Sequence, residues 1–77
     1  MTNTLLLENR IKSSGIKYKF IAEKMGLTYY SLRKKMDNVT EFTATEIDVM
    51  CDLLNLNVKD RMAIFFAKIV DLKSTKN

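Results

Sequence analysis

The sequence predicts an all-α fold, a compact bundle of about five short helices. Three observations carry this expectation. There is no proline and there are only two glycines, which removes most of the turn punctuation an all-β fold requires. Lys and Leu are the commonest residues, joined by Ile, Met and Glu, and these residues suit helices. Apolar residues recur at helical spacing, as at Leu7 and Ile11, Leu32 and Met36, and Ile47, Met50 and Leu54. A chain of 77 residues, 47% of them apolar, is expected to form a single domain over 1–77, near the lower end of what folds alone.

The elements follow from local signals. A first helix is expected over about Thr4 to Ser13, capped by Asn3 or Thr4 and ended at Gly15. A second spans Tyr18 to Met25, with Ile21, Ala22 and Met25 inward, and Gly26 stops it. Thr28 offers a hydroxyl cap to a third helix from Tyr29 to about Asp37, anchored by Leu32 and Met36. The stretch "TATE" at Thr43–Glu46 fits a capping box, opening a fourth helix that runs to Leu54. Asn57 caps a fifth, expected over about 58–72, whose apolar positions are Met62, Phe65, Phe66, Ile69 and Val70.

Charge is segregated along the chain. Arg10 to Lys35 carries eight basic residues against Glu23 alone, whereas Asp37 to Asp60 carries six acids against Lys59 alone. The net charge of +4 therefore understates a basic half that suits a polyanion. An ordinary solvated helical surface is the plainer reading of the same residues.

Several chemistries lack their residues. The sequence has no histidine, one cysteine and no Gly-rich phosphate loop, so no metal, no cofactor and no small-molecule ligand is expected. Asp48 and Asp52 share an exposed helical face, which reads as solvation rather than catalysis, and Cys51 falls beside the apolar stripe as a buried thiol. No enzyme is expected. The single cysteine and the lack of a basic, apolar leader point to the cytoplasm, and no apolar run is long enough for a membrane.

The informative unit is Tyr18 to about Asp37. Small Ala22 permits close helix approach, Gly26 permits the turn, and Ile21, Met25, Leu27 and Leu32 bury the pair. A capped basic helix follows. This is a helix-turn-helix pattern, and "FIAEKMGLTYYSLRKKM" with the following "EFTATEIDVMCDLLNLN" resembles the lambda repressor and Cro-like (XRE-type) family. The stretch from Met25 to Leu56 is especially similar to small Cro-like regulators of phages of Gram-positive bacteria. The resemblance covers about Leu5 to Asn57. It implies a bundle whose third helix lies in the major groove of operator DNA, with the protein acting as a dimer in the bacterial cytoplasm.

Carried onto this sequence, the resemblance sets Lys17 and Tyr18 against the phosphate backbone. It makes Tyr29, Tyr30 and Lys34 base-reading positions, with Thr28 at the helix start. Asn38, Val39 and Thr40 would offer backbone amides and the Thr40 hydroxyl to phosphates. This chain departs from many relatives in having Lys35 where they have an apolar residue, and tyrosines where they have Gln, Ser or Asn.

Helix geometry gives a separate ranking. At about 100° per residue, with Leu32 at zero and Met36 near 40°, residues Arg33, Asp37, Tyr30 and Lys34 form an outward face from about 100° to about 200°. Tyr30, Arg33 and Lys34 are then the candidates for base edges, while Tyr29 and Lys35 flank. A homodimer is expected to supply the area that one such module lacks, with Phe66 or Val70 of the fifth helix facing the partner. A reading from another class stays open: a helical protein-interaction module, such as an anti-repressor or antitoxin-like partner.

Overall fold

Caps set the frame of the molecule. The computed structural model describes residues 1–68, which form five α-helices and no strand: α1 (Thr4–Ser14), α2 (Tyr18–Met25), α3 (Tyr29–Met36), α4 (Ala44–Leu54) and α5 (Val58–Phe65). Asn3 caps α1 by accepting the Leu6 amide at 3.2 Å. Thr28 caps α3 by accepting the Ser31 amide at 3.0 Å. A full capping box opens α4: the Glu46 amide donates to Thr43 Oγ1 at 3.2 Å and the Thr43 amide to Glu46 Oε1 at 2.9 Å. Asn57 and Asp60 form a second capping box at α5. These bonds satisfy amides that a helix start otherwise leaves open.

The connection from α2 to α3 is three residues, Gly26, Leu27 and Thr28. Gly26 has φ 72, and its amide bonds back to Ala22 and Glu23. A Cβ at Gly26 would meet nothing within 4 Å, so the left-handed backbone, rather than space, calls for glycine there.

The core is drawn from all five helices. Leu7, Ile11, Ile21, Leu32, Met36, Met50 and Ile64 are fully buried, and Ala22, Ile47, Cys51 and Phe65 complete the cluster. Phe42 packs edge-on against Phe65, ring centroids 5.4 Å apart. Burial, with Asp52 and Asp60 nearby, pushes the Cys51 thiol above its usual range.

The fifth helix differs from the expectation. It closes at Phe65, and the side chains that enter the core are Ile64 and Phe65, while Met62 and Phe66 are exposed. The cause is the N-terminal segment. Asn3 donates its amide to the Ile64 carbonyl at 2.6 Å, and Ala67 donates to the Met1 carbonyl at 3.0 Å. Helix continuation past Phe66 would need the partners those bonds occupy. Ile69 and Val70 lie outside the described residues. Among the described residues, no helix is long and apolar enough to cross a membrane.

Candidate nucleic-acid interface

The outer surface of α3 is built on its two anchors. Leu32 and Met36 are its only buried residues, and their spacing turns Tyr30 to the opposite side. Tyr30 is 71% exposed. One turn on, the Lys34 ammonium lies over its ring, 5.2 Å from the centroid, a cation–π geometry that holds both side chains on one strip. Tyr29 is half-exposed and makes an edge-to-face contact with Tyr18, centroids 5.9 Å apart at 86°. Since Tyr18 opens α2, this contact braces the starts of α2 and α3 against each other. Exposed Lys17 stands beside it as the N-cap residue of α2, where no side chain caps the helix. Thus Lys17, Tyr18, Tyr29, Tyr30 and Lys34 form one run, with Lys17, Tyr29 and Tyr30 exposed and Tyr18 and Lys34 half-buried.

Three sequence candidates are held elsewhere. The Arg33 side chain is only 27% exposed, with its guanidinium bound by Glu8 and Asp37. These carboxylates, Asp37 foremost, push the guanidinium pKa above its usual value. Lys35, expected as a flanking contact, is 14% exposed: its ammonium meets Glu46 Oε1 at 3.0 Å and the Glu41 carbonyl at 2.8 Å. It ties α3 to the capping box of α4. Desolvation alone would raise the Glu46 carboxyl, but the Thr43 amide and Lys35 together hold it below its usual range. Asn38 spends its side chain on Thr2, accepting the Thr2 amide at 2.8 Å and donating to the Thr2 carbonyl at 2.9 Å.

The turn after α3 also corrects an expectation. Asn38 sits in the left-handed region at φ 65, and the chain reverses through a Schellman arrangement. The Asn38 amide donates to Lys35, and the Val39 and Thr40 amides donate to the Lys34 carbonyl. Those three amides are therefore not open donors for a phosphate. Thr40 remains exposed, so its hydroxyl is what the turn can offer. Thr28 is exposed but its hydroxyl is engaged with Ser31, as cap acceptor and as donor to the Ser31 hydroxyl.

Sequence reasoning gave no role to Glu8 or Thr2, because their partners lie 25 and 36 residues away. Ion pairing also refines the charge map. Arg10 pairs with Asp60, and Arg61 with Asp48. Within the basic half, Lys12, Lys17, Lys19, Lys24 and Lys34 enter no ion pair among the described residues. Among the described residues no group of three or more His, Cys, Asp or Glu side chains gathers to hold a metal ion. No protein-family model, no curated protein and no solved structure matches this chain.

Proposed function

We propose that this protein is a sequence-specific duplex-DNA-binding regulator, Cro-like and of phage or prophage type, that occupies an operator from the cytoplasm of a bacterial host. In this reading it is a binding protein, not an enzyme. The segment from α2 to α3 acts as a helix-turn-helix, and α3 enters the major groove. The observation that carries the reading is the strip opposite the Leu32 and Met36 anchors, where half-buried Lys34 lays its ammonium over the exposed Tyr30 ring. A lysine there can read guanine O6 or N7, and a tyrosine ring can pack on a thymine methyl. Lys17 beside the uncapped start of α2 suits a phosphate, because open helix amides and an ammonium both favour an anion. The unpaired lysines of the basic half supply the sequence-independent attraction. The sequence likeness to the lambda repressor and Cro-like family supports the same assignment.

A second copy completes the proposal. Val58, Met62 and Phe66 recur every four residues and are all exposed, so α5 and its C-cap residue present an apolar stripe away from the core. Exposed Lys59 follows Val58 on α5, and exposed Asp52 on α4 shares a surface cleft with Val58, giving opposite charges for a two-fold arrangement to pair. The same stripe would serve a protein-interaction module, which is the competing reading.

Selection from a random duplex library at moderate salt tests the function. Enrichment of a motif with two-fold related halves is expected. A folded protein that enriches nothing would overturn the proposal, and a protein complex lost on Phe66→Ala would then favour the interaction module.

A further inference from the structure

Arg33 stands next to the proposed reading strip, yet two carboxylates hold its head group. Its Nη2 donates to Glu8 Oε2 at 2.5 Å and to Asp37 Oδ1 at 2.7 Å, and its Nε donates to Asp37 Oδ2 at 3.0 Å. Asp37 uses the forked geometry that guanidinium offers a carboxylate. Glu8 reaches in from α1, and Asp37 is the C-cap residue of α3 itself. One cation thus lies between two anions, a net −1 at the end of a helix whose dipole is also negative. Arg33 holds the Asp37 carboxyl below the usual aspartate range, so Asp37 stays ionised at neutral pH. All three side chains keep some solvent exposure, so the cluster lies at the surface beside the strip.

An arginine released at this position would be a strong phosphate ligand whatever the base sequence. Sequence-independent affinity rises with each phosphate neutralised, and discrimination falls when that common term grows. We propose that Glu8 and Asp37 act as a counter-charge gate. They withhold Arg33 from the DNA backbone, so that recognition rests on Tyr30 and Lys34 and indiscriminate duplex binding is held down. The inference rests on the reading of α3 as the DNA-facing helix.

Salt titration of binding to a random-sequence duplex tests it, with four proteins compared: wild type, Arg33→Gln, Glu8→Gln/Asp37→Asn, and that double variant carrying Arg33→Gln. The amide replacements keep side-chain shape, and circular dichroism reports whether each protein is folded. If the double variant does not fold, Asp37→Asn alone, with and without Arg33→Gln, takes its place. Each phosphate contact contributes about 0.9 to the slope of log affinity against log salt. The gate predicts that Arg33→Gln leaves the wild-type slope unchanged. Opening the gate steepens the slope by about 0.9 and tightens random-duplex binding several-fold. Adding Arg33→Gln to the open gate restores the wild-type slope. Two results would overturn the gate: a flattened slope for Arg33→Gln in the wild type, or a gain in the double variant that survives loss of Arg33. The second would mark a general loss of repulsion. Wild type that binds no duplex at any salt would instead refute the DNA reading itself.

Discussion

Replacing Leu32 with alanine is expected to lower the unfolding free energy by about 2–5 kcal/mol, the range for a large-to-small change in a packed core. Leu32 is completely buried, and with Met36 it is all that α3 contributes to the interior. An isolated helix of eight residues does not hold itself together in water, so α3 exists because these two side chains dock it. Small domains have only about 5–15 kcal/mol in hand, and the loss would take a large share of it. Urea denaturation checks this as a lower midpoint with an unchanged slope. A change below about 1 kcal/mol, the scale of an ordinary surface substitution, would mean that α3 is anchored some other way.

The second large effect is on recognition. Lys34→Ala is expected to relax base preference at one position of the selected site, worth about 1–3 kcal/mol there, with other positions keeping theirs. The ammonium is held over the Tyr30 ring, so in the proposed complex it would meet the groove already oriented and lose little freedom. Lys17→Ala should behave differently. A phosphate contact carries no sequence information, so its loss should weaken binding to all sequences alike and flatten the salt dependence by about 0.9. Binding measured across single-base variants of the selected duplex separates the two. If Lys34→Ala merely weakened every sequence equally, Lys34 would be a positioning contact.

What the sequence made legible was local. The caps at Asn3, Thr28, Thr43 and Asn57 and the left-handed ends at Gly15 and Gly26 depend on residues within one turn, so helix boundaries could be read directly. The Leu32 and Met36 spacing likewise fixed which side of α3 goes inward. Periodicity sorts residues by face, but it is silent on what stands opposite. Arg33 has an outward angular position, yet Glu8 reaches it from 25 residues away. Lys35 is drawn in by Glu46 and Glu41, and Asn38 by Thr2. The end of α5 escapes periodicity for the same reason. The apolar pattern runs on past Phe66, but the backbone bonds there belong to Met1 and Asn3. The amides of the turn after α3 were closed by a left-handed asparagine, Asn38, a residue type that tolerates this backbone without requiring it.

The proposed function requires the outward start of α3 to meet duplex DNA. Amide and side-chain chemical shifts, followed by NMR as the selected duplex is titrated into the protein, test it most directly. The perturbed residues are expected to be Lys17, Tyr18, Thr28 to Tyr30 and Lys34, with the largest changes at Tyr30 and Lys34. Perturbations confined to α4 and α5, with Tyr30 and Lys34 unmoved, would contradict it.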